Sequence, residues 1–238
     1  MTSEPTTQAR THDVIERLKA LANPDNVAGM VRFGINATSA YGISAPVLHR
    51  MAREIGKDHQ LAQELWATGV HEARKLAPLI DVPKLVTEDQ MERWVSEFDS
   101  WDICDDCCGN LFDKTPFAYQ KAVEWSRRDE EFVKRATFAL MAHLAVHDKK
   151  ANDDRFLDFL PLIKRESTDE RNFVRKAVNW ALRQIGKRNR ALNDAAVETA
   201  DEIRAMNTRS GRWIAADALR ELMREPVQRR LRKATHSR

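Results

Sequence analysis

Trp101 and Asp105 stand four residues apart in the stretch Asp99-Ser100-Trp101-Asp102-Ile103-Cys104-Asp105-Asp106. On a helix that spacing stacks the indole and the carboxylate on one face. A flat π surface beside a negative charge suits a planar, cationic ligand, because the ring quadrupole and the carboxylate both attract it. A half-buried core Trp beside a surface charge has the same spacing, so the pair needs support from elsewhere in the chain. Asp102 sits about 100° further round the helix and belongs to another face, which makes it the natural control for Asp105.

Other reactive types give less. Cys104, Cys107 and Cys108 cluster within one turn, but no second Cys or Cys/His pair completes four zinc ligands. They read as small buried thiols under the Trp101 face, and no metal is expected. His143 and His147 are four apart, yet Leu144-Ala145-Val146 between them lacks the Glu of a zinc protease. They read as one core and one surface histidine. No Gly-rich phosphate loop, nucleophile elbow or dinucleotide fingerprint occurs, which argues against nucleotide cofactors and serine-hydrolase chemistry.

Charge is distributed unevenly although the net is only +3. Between Glu88 and Asp106 eight acids face Arg93 alone, whereas Arg171 to Arg190 contains seven cations and no acid. A basic stretch of this kind suits a polyanion, with Arg175, Lys176, Arg183, Lys187 and Arg188 as candidate phosphate contacts beside a site that uses carboxylates.

With 238 residues, only 8 Gly and 8 Pro, and almost no strand-type alternation, the elements that position these groups must be helices. No apolar run approaches the ~20 residues of a membrane span, and the polar start lacks a signal-peptide core. A soluble cytoplasmic protein is expected. Residues 1–12 read as a disordered polar tail, 13–225 as one domain, and 226–238 as a basic C-terminal tail. Asp13 is the expected cap of the first helix, Ser44 caps a helix that Gly56 ends, and Thr87-Glu88-Asp89-Gln90 reads as a capping box.

Phe132-Val133-Lys134-Arg135-Ala136 recurs as Phe173-Val174-Arg175-Lys176-Ala177, an offset of 41 residues, with Phe156 to Ile163 as a partner helix between. A period near 40 with two helices per unit is the mark of a HEAT/armadillo-like α-solenoid, whose stacked pairs build a concave surface, here a basic one. Arg135 is flanked by apolar residues and Trp180 lies within the second copy. Spacing leaves each open between packing (an ion pair between repeats for Arg135, a core filler for Trp180) and a place beside Trp101 and Asp105.

These strings, together with Tyr41-Gly42-Ile43-Ser44-Ala45-Pro46 and Leu65-Trp66…Glu72, resemble AlkD-like DNA alkylation repair enzymes over roughly Asp25 to Arg190. The resemblance implies a HEAT-like solenoid that removes alkylated purines of the N3-methyladenine and N7-methylguanine type from double-stranded DNA. It implies a monofunctional glycosylase in base excision repair, acting as a monomer without a cofactor. Carried over residue by residue, Asp105, Trp101, Trp180 and Arg135 form the catalytic set. Phe33 departs from the family pattern, standing where a hydroxyl-bearing aromatic is expected, and Cys107-Cys108-Gly109 and the Arg-rich C-terminus also depart from it. Related folds bind DNA without excising bases, so a non-catalytic binder of damaged or branched DNA, or a protein-interaction scaffold, is the alternative.

Overall fold

A computed structural model describes residues 6–235, which are all-helical with turns and no strand among them. The chain divides into two compact units that part between Thr115 and Pro116. Among the described residues no helix is long and apolar enough to cross a membrane.

The first unit carries α1 (Thr7–Ala20), α2 (Pro24–Arg32), α3 (Ala45–Ile55), α4 (His59–Ala67), α5 (His71–Ile80), α6 (Glu88–Ser96) and α7 (Trp101–Asn110). α1 begins inside the stretch expected to be a loose tail, because the Thr6 hydroxyl caps it by accepting from the Ala9 amide at 3.3 Å; residues 1–5 of that expected tail lie outside the described residues. Ser44 does stand at the start of α3, but its side chain makes no capping bond. Gly56 ends α3 at φ 80°, where a left-handed residue is needed. Thr87 caps α6 through the Gln90 amide at 3.1 Å. The box is not reciprocal, since Gln90 Nε2 donates instead to buried Asp81 at 2.7 Å.

The core of this unit is aromatic. Trp66 of α4 and Trp94 of α6 stack with ring centroids 4.1 Å apart, and Phe98 and Phe112 close round them. Trp66 Nε1 donates to Glu97, and Arg74 lies over the Trp66 ring while donating to the same carboxylate. Two of the strings noticed in the sequence meet here: the fully buried Glu72 carboxylate accepts from the amides of Tyr41, Gly42 and Ile43 at 2.9, 2.7 and 3.2 Å. Gly42 is required in that loop, because at its φ of +78° a Cβ would lie 2.3 Å from the Asn23 carbonyl oxygen.

The second unit carries α8 (Ala118–Glu124), α9 (Glu131–His147), α10 (Asp154–Leu157), α11 (Leu160–Glu166), α12 (Asn172–Gly186), α13 (Arg190–Ala205), α14 (Arg209–Leu222) and α15 (Glu225–Thr235). The partner helix expected over 156–163 is split into α10 and α11, with Pro161 in the first turn of α11. α15 occupies the described part of the expected 226–238 tail, of which residues 236–238 lie outside the described residues. Its Leu231 is buried, and Gln228 donates to the Leu222 carbonyl and to Asn193, which docks the helix on α13 and α14.

α9 packs on α12, and α12 packs in turn on α14. The repeated phenylalanines Phe132 and Phe173 touch, ring centroids 5.7 Å apart. Cross-repeat hydrogen bonds run at a constant separation of 38 residues: Arg135 to Phe173, Asn179 to Asp217 and Arg183 to Glu221. Gly186 lets α12 end closely against its neighbours, because a Cβ there would meet Leu222 at 2.8 Å and Ala196 at 2.9 Å.

Candidate functional site

α7 is held from beneath by its thiols and from one side by α5. Cys104, Cys107 and Cys108 are all buried, and burial pushes the Cys107 and Cys108 thiols well above their ordinary range, so they are inert packing groups. On the α5 side, Asp102 accepts from His71 Nε2 at 2.9 Å, from Lys75 Nζ at 2.9 Å and from the Ser100 hydroxyl at 2.6 Å. Lys75 also pairs with Asp106 at 2.7 Å. Two i,i+4 pairs thus face each other, His71 and Lys75 on α5 against Asp102 and Asp106 on α7. Burial alone would raise the Asp102 carboxyl. The His71 hydrogen bond, the Lys75 charge and the Ser100 hydroxyl outweigh it and hold that carboxyl well below the usual range. Asp102 is therefore a buried anchor, not the indifferent neighbour of Asp105 that its position on another face suggested.

Trp101 and Asp105 lie on the remaining arc of α7, both half-buried. The Trp101 indole N–H donates to the Phe33 carbonyl at 3.0 Å, which fixes the ring plane relative to the segment after α2. Asn36 adds a second tie from that segment, donating to Asp99 at 2.8 Å. Phe33 itself is 73% exposed, and α2 buries none of its residues. The first unit therefore places an indole and a carboxylate one turn apart on α7, with the backbone of the exposed Phe33 against the indole.

In the second unit Arg135 is only 6% exposed, and its Nη1 donates to the Phe173 carbonyl at 2.7 Å. It ties α9 to α12. So little exposed a guanidinium is poorly placed for phosphate. Trp180 is half-buried and meets His143 edge to face, centroids 5.0 Å apart. His143 is half-buried and His147 exposed.

The basic stretch of α12 is compensated in three dimensions. Arg183 pairs with Glu221 and lies 3.6 Å from Asp217, and Lys187 pairs with Glu221 at 2.6 Å. Burial raises the Glu221 carboxyl, but the two cations lower it further and keep it ionised. Arg188 is turned into the protein, donating to the Ala145 and Asp148 carbonyls at 2.8 Å each, with its guanidinium over the Phe156 ring. Arg175 lies over Trp213, and Lys176 is exposed. The acid-free look of 171–190 came from reading along the chain, whereas the compensating carboxylates arrive from α14, one repeat later.

Sequence reasoning missed His71, Lys75 and Ser100. A trace was present: two basic residues at i,i+4 on α5 match two acids at i,i+4 on the Trp101 helix.

A model of the family described as "DNA alkylation repair enzyme" matches residues 14–222. The chain belongs to this family. The membership agrees with the resemblance carried by the Trp101, Phe132 and Phe173 strings. No curated protein matches. A solved structure aligns with a TM-score of 0.75 at 21% identity, covering 89% of this chain and 95% of that chain. It is described as "A new family of proteins related to the HEAT-like repeat DNA glycosylases with affinity for branched DNA structures". At that identity the likeness speaks to fold, and the fold is the HEAT-like helical repeat. The DNA alkylation repair family is thus joined to a fold whose repeats are tied by the Arg135, Asn179 and Arg183 side chains.

Proposed function

We propose that this family member is a monofunctional DNA glycosylase that releases cationic alkylated purines from double-stranded DNA. The observation that carries the reading is that Trp101 and Asp105 stand one turn apart on the arc of α7 away from α5, with the indole held by the Phe33 carbonyl.

An N3- or N7-alkylated purine already bears a positive charge, so it departs as a neutral base without a general acid. Positive charge then moves onto the deoxyribose as an oxocarbenium ion. The Asp105 carboxylate stabilises that charge and orients the attacking water, and Trp101 contributes a cation–π face. Trp180 offers a stacking surface to the same class of cation, as the family resemblance assigns it. Arg135 acts as a positioning residue that holds α9 to α12, and Lys176 and Arg175 supply phosphate contacts. The reaction needs no metal or organic cofactor, and the protein acts as a monomer on cytoplasmic, nucleoid-bound DNA.

Methylated duplex DNA incubated with the purified protein, followed by chromatography of the freed bases, tests this directly. Release of 3-methyladenine or 7-methylguanine is expected. Salt-sensitive DNA binding with no base released would favour the second reading, a binder of branched DNA, which the description of the solved structure supports. Absence of any salt-sensitive DNA binding would leave the scaffold reading.

A further inference from the structure

The loop after α9, the last turn of α12 and α15 enclose an open cleft of about 810 Å³. Among its lining residues Lys149, Lys150, Lys187, Arg188 and Arg230 outnumber the single carboxylate of Asp153. Asp153 is already held by Asn189 Nδ2 at 2.8 and 2.9 Å. The carbonyl ends of helices attract cations, and that accounts for Arg188, which is spent on the carbonyls that end α9. Lys187 is shared with Glu221. Lys149, Lys150 and Arg230 exceed both needs: all three are exposed, and Arg230 is steadied by the Lys187 carbonyl at 2.6 Å.

Among the described residues no aromatic side chain lines the cleft, so none of them would stack on a nucleobase there. A wide polar groove with cations on several walls fits a string of phosphates better than one small anion. The cleft also continues a functional helix. Gln184 lines it and stands one turn after Trp180, and Lys187 stands seven residues after Trp180, about 10 Å along the axis. That is the length of roughly three nucleotides of one DNA strand.

We infer that this cleft is a phosphodiester-backbone site, in which Lys149, Lys150 and Arg230 hold the DNA strand flanking the damaged nucleotide without regard to sequence or lesion. The inference rests on the glycosylase reading for what lies at Trp180, but not for the cleft's affinity for DNA. It gives a role to the docked α15 and to two lysines outside the basic stretch of α12.

The test is fluorescence anisotropy on undamaged duplex at several salt concentrations, with wild type, Lys149→Gln/Lys150→Gln, and the same pair plus Arg230→Gln. Each lost phosphate contact removes about 0.9 from the slope of log K against log salt. The double variant should lose about 2 from that slope and the triple between 2 and 3, with affinity at low salt falling at least tenfold. Arg204→Gln/Arg209→Gln, exposed cations of the same unit outside the cleft, should keep the wild-type slope. An unchanged slope in both cleft variants overturns the inference, as does an equal loss in the control pair. Calorimetry with inorganic pyrophosphate adds one more arm: binding abolished by the triple variant while the DNA slope is unaltered means a small-anion site instead. Base release by the wild type separates the two proposals. A variant-sensitive slope without base release keeps the cleft and refutes the glycosylase, whereas base release with an insensitive slope does the reverse.

Discussion

Arg135 of α9 donates a 2.7 Å hydrogen bond to the Phe173 carbonyl of α12 from a position only 6% exposed. A buried charged donor on a carbonyl contributes on the order of 1.5–3 kcal/mol. Arg135→Ala should therefore lower the melting temperature by several degrees, since about 1 kcal/mol shifts a domain of this size by 2–4 °C. The salt slope for undamaged duplex should stay at the wild-type value. A normal melt together with a flattened slope would instead make Arg135 a phosphate contact.

Asp105 shares an arc of α7 with Trp101, while Lys75 engages Asp102 and Asp106. Asp105→Asn keeps the shape and removes the charge, so α7 stays folded. Excision of a cationic methylpurine should fall by roughly two to three orders of magnitude, about 3–4 kcal/mol of transition-state stabilisation. Duplex binding should hold or improve, because a negative charge near phosphates is lost. Full excision by a variant with an unchanged thermal midpoint would remove Asp105 from the mechanism.

Asp102 is the carboxylate whose loss should cost the fold. Its carboxyl is depressed in the native state, so it binds protons more readily when unfolded. Its stabilising contribution is present above the unfolded value of about 3.9 and is lost as pH falls below that toward the depressed native value. Urea unfolding at pH 7 and pH 3 should show wild-type stability declining with acid, and Asp102→Asn should flatten that decline. Lys75→Met, which leaves Asp102 and Asp106 without their shared cation, should destabilise by about 3–5 kcal/mol at neutral pH. An Asp102→Asn protein as stable as wild type at pH 7, with the same acid limb, would show that the anchor does not act.

Glu221 restrains the cations of α12 by pairing with Arg183 and Lys187. Glu221→Gln should free Lys187, leave Arg183 with Asp217 alone, and raise affinity for undamaged duplex several-fold at low salt, with a steeper salt dependence. Arg183→Gln alone should flatten the slope by less than the ~0.9 expected of a free phosphate contact. Equal slopes in Glu221→Gln and wild type would mean that this face does not meet DNA.

The helical class and the repeat were legible in the sequence, because capping residues and apolar spacing act locally and Phe132 and Phe173 sit in near-copies of one string. Gly56 and Thr87 end and begin their helices as local chemistry requires. The Trp101–Asp105 pair was legible for the same reason, being one turn of one helix. What escaped depends on partners far along the chain. α15 looked like a charged tail, since its docking rests on buried Leu231 and on Gln228 reaching Leu222 and Asn193. The basic run of α12 looked uncompensated, because Glu221 and Asp217 stand 38 residues on from Arg183 and Asn179 and arrive only when the repeats stack. Asp102 looked like a control for Asp105 on another face until α5 brought His71 and Lys75 against it. Periodicity along the chain decides which face of a helix is buried, but only packing decides which opposite charge waits on the helix it meets.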